Sequence, residues 1–163
     1  MIYIDSSVAL ARLLFEQRSP RPSFWQERLV SSQLLEYEVW NRVHAYGLMS
    51  SHAEAARVLL MGIELLEMER RVLARALHPW PMQLRTLDAL HLASADYLRR
   101  EGDSIELASY DGRMLAAARA LGIEIAALRP ARRSRYAASR SAGAGGIDRH
   151  IVRSVGIGAD ERR

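Results

Sequence analysis

Residues 105–128 read IELASYDGRMLAAARALGIEIAAL, and the order of residue types in this stretch indicates the fold class. An apolar, β-favouring run over Ile105–Tyr110 predicts a strand. The residues that follow predict a helix over Arg113–Leu121, with Gly122 as a natural C-terminal cap. Glu124–Leu128 predicts a second strand. Two strands joined through a helix favour a right-handed crossover between parallel neighbours.

The same alternation extends toward the N-terminus. Short strands are predicted at Ile2–Ile4 and Leu29–Ser31, and helices at Val8–Glu16, Ser23–Arg28, Leu34–Met49, Ala53–Leu66, Arg70–Leu77 and Leu87–Arg100. Strands separated by helices form a mainly parallel sheet. We therefore predict an α/β fold class, and 163 residues are enough for one domain with a proper core.

The composition excludes several classes of protein. No run approaches 18 uninterrupted apolar residues, so no membrane span is predicted. The opening residues MIYID lack the basic region and the apolar stretch of a secretion signal, and the cytoplasm is the expected location. The absence of cysteine excludes a thiolate nucleophile and sulfur-ligated zinc. The absence of lysine excludes a phosphate-loop lysine and a Schiff base.

The positive charge lies at the C-terminal end. The formal net charge is +4, but Met1–Leu128 holds 14 arginines against 16 acidic residues, a net −2. Arg129–Arg163 holds 9 arginines against 3 acidic residues, a net +6. We expect residues 1–129 to form the domain. The Arg-, Gly-, Ser- and Ala-rich residues 130–163 are expected to be a flexible extension, because they contain little apolar surface to bury.

Four acidic residues are placed where a parallel sheet could bring them together. Asp5 follows the first strand, and Asp111 follows the strand at residues 105–110. The carboxyl ends of parallel strands line one edge of the sheet, where ligands bind. Asp88 lies at a helix N-terminus that can face the same edge, and Glu38 lies about one turn into another helix.

Each of these acids also has a purely structural explanation. Asp5 is suited to capping the first helix, and Asp111 before a glycine is a common turn residue. Glu38 is spaced to pair with Arg42, and Asp88 could simply favour the helix dipole behind a Thr86 N-cap. A functional role therefore depends on their convergence.

If the four carboxylates converge, the repulsion between their negative charges must be offset. Two unit charges about 5 Å apart repel by roughly 3 kcal/mol at an effective dielectric constant near 20. Six such pairs approach roughly 20 kcal/mol, whereas a whole domain is stable by about 5–15 kcal/mol. A converged set must be partly protonated or neutralised by a cation. Oxygen ligands favour Mg²⁺ or Mn²⁺, and substrate phosphate commonly completes a Mg²⁺ site, so metal-assisted phosphodiester chemistry is the leading prediction.

Four stretches of the chain resemble the PIN-domain ribonucleases, most closely the toxins of VapBC-type toxin–antitoxin pairs. These stretches are MIYIDSSVAL (residues 1–10), SSQLLEYEVWNRV (31–43), LRTLDALHLASA (84–95) and LASYDGRMLAAARALGI (107–123). The resemblance covers Met1–Leu128 in order and spacing. It implies a three-layer α/β/α PIN-like fold with a short, mainly parallel central sheet flanked by helices.

The resemblance also implies site residues. The family's acidic set, which binds metal and carries out catalysis, falls on Asp5, Glu38, Asp88 and Asp111. Glu36 competes with Glu38 for the second position, and Glu38 is preferred because Glu38–Val39 matches the family's Glu-plus-aliphatic step. Ser7, Ser109 and His91 are candidates for substrate binding, although a packed, hydrogen-bonded His91 is favoured over a histidine that contacts RNA.

The function implied by the resemblance is that of a Mg²⁺-dependent endoribonuclease, with Mn²⁺ as a substitute, in which metal-activated water attacks the phosphodiester. The implied partners are an RNA substrate, a cognate antitoxin and a second copy in a homodimer. A PIN-like module that binds RNA or protein without cutting is the alternative. In the extension, Arg132, Arg133, Arg135 and Arg140 could add RNA affinity, although a solvated extension is favoured.

Overall fold

A computed structural model describes residues 1–130, and within them five short parallel strands form one sheet. The strands are β1 (Ile2–Ile4), β2 (Leu29–Ser32), β3 (Glu64–Leu66), β4 (Glu106–Ala108) and β5 (Glu124–Ile125), in the spatial order β3-β2-β1-β4-β5. The chain builds outward from β1 through β2 and β3, then crosses back to the other side of β1 with β4 and β5. The strand order therefore reverses between β1 and β4, which is where open α/β sheets bind ligands.

Helices cover both faces of this sheet. They are α1 (Ser6–Leu13), α2 (Leu34–Ala45), α3 (Met49–Met61), α4 (Arg70–Ala76), α5 (Thr86–Arg100) and α6 (Gly112–Ala120), with a short 3₁₀ helix at Pro22–Gln26. Successive strand residues point to opposite faces. Ile4 accordingly joins the buried cluster of α1, α2 and α3, whereas Tyr3 joins that of α5 and α6. The three-layer α/β/α architecture is confirmed.

The helix predicted over Ala53–Leu66 is wrong in its last five residues. Helix α3 ends at Met61, and Glu64–Leu66 instead forms β3, paired in parallel with Val30–Ser32. The apolar run through this segment fits a helix and a strand equally well, and a strand of three residues is too short to show its own periodicity. Hydrogen bonding to β2, a distant segment of the chain, decided the conformation.

The helix predicted over Leu34–Met49 is divided in two. Helix α2 ends at Ala45, and Gly47 then adopts a φ of +65°, in the left-handed region that glycine enters without a steric penalty. The Leu48 amide donates to the carbonyl of Val43, which closes the helix end before α3 begins. The other predicted elements are present with ends displaced by up to three residues, a common uncertainty in helix and strand limits.

A buried carboxylate fastens α4 to α5. The Asp96 side chain is fully buried and accepts hydrogen bonds from Arg75 and Arg99, each at 2.7 Å. Arg100 lies 3.0 Å from the same carboxylate. Burial opposes ionisation of Asp96, but the bonds from Arg75 and Arg99 outweigh it and lower the pKa of this carboxyl. The second half of α5 is therefore held by charge as well as by apolar packing.

No helix within residues 1–130 is both long and apolar enough to cross a membrane. The interpretations of the C-terminal extension, including the roles considered for Arg132, Arg133, Arg135 and Arg140, lie outside the described residues. The division at residue 129 stays a prediction.

Candidate active site

Asp5 lies at the carboxyl end of the central strand and is almost completely buried, with 4 % of its surface exposed. Its Oδ1 accepts hydrogen bonds from the backbone amides of Ser7 and Val8, so it caps α1 as predicted. Oδ1 also accepts from the Ser7 hydroxyl at 2.6 Å, and Oδ2 accepts from the Ser109 hydroxyl at 2.5 Å. Burial raises the pKa of Asp5, although the bonds from Ser109 and Ser7 oppose this rise. The buried Asp5 carboxylate of the candidate site is therefore also the N-cap of α1.

Ser7 and Ser109 connect the end of β1 to the loop after β4. The Ser109 hydroxyl accepts from the Asp111 amide, and the Ser7 hydroxyl accepts from the Tyr110 amide, both at 2.9 Å. Each hydroxyl thus has one donor and one acceptor partner within the protein. These bonds hold Asp5 and the Asp111 backbone in place, and the contact of Ser7 and Ser109 with substrate stays a prediction.

Asp111 occupies the equivalent position after β4. It is the N-cap of α6, and its Oδ1 accepts from the amides of Arg113 and Met114 at 2.8 and 3.0 Å. Two acidic N-caps therefore lie at the carboxyl ends of two adjacent strands, β1 and β4, on either side of the point where the strand order reverses. This arrangement follows from the parallel pairing of those strands.

Asp88 lies in the first turn of α5 and brings a third carboxylate to this edge. The N-cap of α5 is Arg85, which makes no side-chain capping bond, and Thr86 is already helical, so the predicted Thr86 cap is wrong. Within residues 1–130, Oδ2 of Asp88 is buried and has no hydrogen-bond partner. Burial raises the pKa of Asp88, and repulsion from Asp111 and Asp5 raises it further. We call Asp5, Asp88 and Asp111 the aspartate cluster.

Glu38 contacts His91, whose charge opposes the rise in the pKa of both Asp5 and Asp88 and which therefore lies near them. Its Oε2 lies 2.6 Å from Nε2 of His91, and only 16 % of the Glu38 side chain is exposed. The alternative pairing with Arg42 is not formed, since Arg42 contacts Tyr46 instead. Glu36 is exposed on the same helix. The geometry therefore favours Glu38 over Glu36 as the fourth acid.

His91 is packed inside the protein, with 1 % of its surface exposed, and it cannot present its ring to a substrate. Its Nδ1 lies 3.0 Å from the Tyr3 hydroxyl. Burial alone would lower the pKa of His91, but Tyr3 and Glu38 outweigh burial and raise it to about 10. The packed, hydrogen-bonded arrangement is the one that the sequence favoured.

The site is a group of carboxylates at the edge of the sheet, and it is not a complete set of metal ligands. Within the described part of the chain, no group of three or more Asp, Glu or His side chains is arranged to hold a metal ion as it stands. Besides burial, repulsion from Asp111 and Asp5 nevertheless raises the pKa of Asp88, so both of these carboxylates lie near Asp88.

The family model of the PIN domain matches residues 2–120. The chain belongs to the PIN-domain family. The PIN domain is 37 % identical over 129 residues to Ribonuclease VapC46 of Mycobacterium tuberculosis, an alignment that spans 77 % of this chain and 96 % of the relative. It is 33 % identical over 129 residues to Ribonuclease VapC47 of the same species, spanning 75 % of this chain and 93 % of the relative.

Two polar residues of this PIN domain were missed from the sequence. Tyr3 was assigned only to a strand, although a buried tyrosine hydroxyl usually needs a hydrogen-bond partner and is itself a signal of a polar contact. Asp96 falls within the helix predicted over Leu87–Arg100 but is not among the candidate site residues. Its signal was the pair Arg99 and Arg100 at i+3 and i+4, one turn further along the helix.

Proposed function

We propose that this PIN domain is a metal-dependent endoribonuclease and the toxin of a type II toxin–antitoxin pair. One observation carries the proposal: a buried carboxylate oxygen of Asp88 has no hydrogen-bond partner within residues 1–130, beside two more aspartates. Leaving such an atom unpaired costs about 1–3 kcal/mol, which a domain tolerates where function needs it. The names of the two relatives, both ribonucleases, support the same reaction.

The residues present fit a hard divalent cation. A cation would pair with the unpartnered Asp88 oxygen and offset the repulsion that raises the pKa of this side chain. The available donors are carboxylate oxygens, which suit Mg²⁺ and Mn²⁺. Mg²⁺ commonly keeps several waters and binds through one or two carboxylates plus substrate phosphate. A complete cage of three protein ligands is therefore not required.

In this proposal Asp5, Asp88 and Asp111 would hold the ion directly or through water, and Glu38 would complete the set. The bound cation would supply an activated water and neutralise charge on the phosphate. The protein contributes a fixed arrangement of oxygens: four hydrogen bonds hold Asp5, and capping bonds hold Asp111. Ser7 and Ser109 act as positioning residues for Asp5.

The Asp88→Asn variant tests the proposal. Purified protein is incubated with total RNA with and without Mg²⁺, and the cut ends are mapped. We expect the variant to lose Mg²⁺-dependent cleavage while keeping its fold. Glu36→Gln is the matched control, because Glu36 is an exposed acid on α2 and should cut at the wild-type rate. Undiminished Mg²⁺-dependent cleavage by Asp88→Asn would refute the assignment.

A module that binds RNA or protein without cutting is the second candidate. The absence of a ready set of three ligands among residues 1–130 is the observation that favours it. A calorimetric titration of the isolated protein with Mn²⁺ separates the two candidates. Saturable binding that Asp88→Asn abolishes supports the nuclease, and no binding by either protein supports the non-cutting module.

The toxin role includes a cognate antitoxin, a homodimer and a cytoplasmic location, all of which are proposals. A groove of about 800 Å³ lies between α3, the end of α1 and the segment that follows α1, and it offers an apolar surface for an amphipathic antitoxin helix. Phe15 and Val58 line it with 84 % and 57 % of their surfaces exposed. We expect Val58→Asp to weaken antitoxin binding, measured by calorimetry, while RNA cleavage by the free toxin is unchanged. Equal antitoxin affinity would exclude this groove.

A further inference from the structure

A chain of hydrogen bonds crosses the interior from the sheet to Glu38. The Ser32 amide donates to the Tyr3 hydroxyl at 3.2 Å, and this hydroxyl lies 3.0 Å from Nδ1 of His91. Nε2 of His91 lies 2.6 Å from Oε2 of Glu38. Tyr3, Ser32 and His91 are buried, and only Glu38 reaches the surface. The chain of hydrogen bonds thus ends at Glu38, one of the four predicted site acids.

This polar chain is not needed to fill the core. Tyr3 belongs to a cluster of apolar side chains that includes Leu92 and Leu107, where a phenylalanine would pack in the same volume. A buried hydroxyl and a buried imidazole are costly unless both are hydrogen-bonded. Their presence here points to a role for the bonds themselves.

The hydrogen-bond chain joins β1, which ends directly before Asp5, to α5 and α2, which carry Asp88 and Glu38. Tyr3 is on β1, two residues before Asp5. His91 is on α5, three residues after Asp88 and therefore on the same face of the helix. Glu38 is on α2, which packs on the opposite face of the sheet from α5. The His91–Glu38 bond therefore connects the two helical layers at the acidic edge.

Glu38 is held by one oxygen. A carboxylate only accepts hydrogen bonds, so Nε2 of His91 is the donor in this contact. Among residues 1–130, Oε1 of Glu38 forms no hydrogen bond. A carboxylate that is anchored through one oxygen can present the other to a ligand in a fixed position.

We propose that His91, itself held by Tyr3, is a positioning residue that fixes the Glu38 carboxylate beside the aspartate cluster. The inference rests on the proposed function, because a fixed Glu38 matters only if the cluster binds a divalent ion and RNA. His91 touches neither substrate nor ion. It acts by removing the freedom of Glu38 to turn away into solvent.

Two substitutions of His91 distinguish positioning from packing. The side-chain amide of glutamine can place a donor near Nε2, whereas that of asparagine reaches only as far as Nδ1. His91→Gln should therefore keep the bond to Glu38, and His91→Asn should lose it. A packing role predicts that both variants are impaired together, and more so for the smaller asparagine.

The first readout is Mn²⁺ affinity, measured by calorimetry without RNA. We expect His91→Asn to weaken Mn²⁺ binding by about 10–100-fold, as is typical for loss of an outer hydrogen bond at a metal site. We expect His91→Gln to remain close to wild type. Thermal unfolding of each variant, measured in parallel, checks that the difference does not merely follow stability.

The second readout needs neither metal nor RNA. The mobility of the Glu38 side chain is measured by carbon-13 relaxation of its carboxyl carbon in the metal-free protein. It should increase in His91→Asn and stay at the wild-type level in His91→Gln. If His91→Asn does not fold, Tyr3→Phe is used instead: it keeps the ring packing, removes the partner of Nδ1, and should also increase Glu38 mobility.

The outcomes separate the two proposals. Glu38 mobility at the wild-type level in His91→Asn, or in Tyr3→Phe if that variant replaces it, overturns the positioning role. Equal loss of Mn²⁺ affinity in His91→Asn and His91→Gln also overturns it in favour of packing. Mn²⁺ binding and RNA cleavage that survive in Asp88→Asn instead overturn the proposed function, whatever Glu38 does.

Discussion

Replacing Asp96 by alanine removes a buried charge that holds α4 against α5. Asp96 is fully buried, and its partner Arg75 has only 10 % of its side chain exposed, so this pair is shielded from water. Removal of one partner from a buried ion pair costs about 3–5 kcal/mol, because the remaining charge stays buried without compensation. Arg99 and Arg100 are 37 % and 61 % exposed and lie on the same helix as Asp96. Each of these two should contribute less than about 1 kcal/mol.

We therefore expect Asp96→Ala to lower the free energy of unfolding by about 3–5 kcal/mol, out of the ~5–15 kcal/mol typical of a domain. At roughly 3–4 °C per kcal/mol for a domain of this size, Tm should fall by about 10–20 °C. Urea unfolding followed by circular dichroism measures the free energy, and a thermal scan measures Tm. Arg100→Ala, which removes an exposed partner of the same carboxylate, is the control.

The pH dependence gives an independent check. The folded pKa of Asp96 is lowered, so its stabilising effect is complete above its unfolded pKa of about 3.9 and is lost as the pH falls through the folded value. The stability difference between wild type and Asp96→Asn should be constant near neutrality and shrink below about pH 4. A loss of less than about 1 kcal/mol in Asp96→Ala, or a loss equal to that of Arg100→Ala, would refute this reasoning.

Three further predictions concern the site and one turn. Burial and repulsion raise the folded pKa of Asp88. Wild type should therefore lose stability relative to Asp88→Asn as the pH rises from about 4 toward neutrality. Urea midpoints of the two proteins that stay parallel across this pH range would contradict this prediction. Ser109→Ala should cost about 1–3 kcal/mol in urea unfolding, because the buried Asp5 side chain loses a hydrogen bond, and an unchanged midpoint would show that this bond is not stabilising. Gly47→Ala should cost about 1–2 kcal/mol by thermal unfolding, because its φ is +65°. Gly62→Ala, at a φ of −85°, should be neutral or slightly stabilising, and equal effects at the two glycines would exclude a backbone cause.

The sequence predicted where the candidate site lies but not the hydrogen bonds that hold its residues in place. The edge of the sheet shared by Asp5 and Asp111 was predicted correctly, because each lies within three residues of the end of a strand and the order of strands and helices fixes that edge. The roles of Ser7 and Ser109 were not predicted, since each hydroxyl bonds to groups brought close only by the pairing of β1 with β4. The Thr86 cap was wrong because capping depends on backbone angles that a residue type only favours.

The sequence by itself determined the fold class and the edge of the sheet at which the acids gather. Strand and helix signals are local, and the handedness of crossovers converts their order into a topology. Only the tertiary structure decided that Glu64–Leu66 is a strand, that Glu38 bonds to His91 rather than to Arg42, and that one oxygen of Asp88 is buried without a partner. These outcomes depend on neighbours tens of residues away, and no pattern within a single helix or strand contains that information.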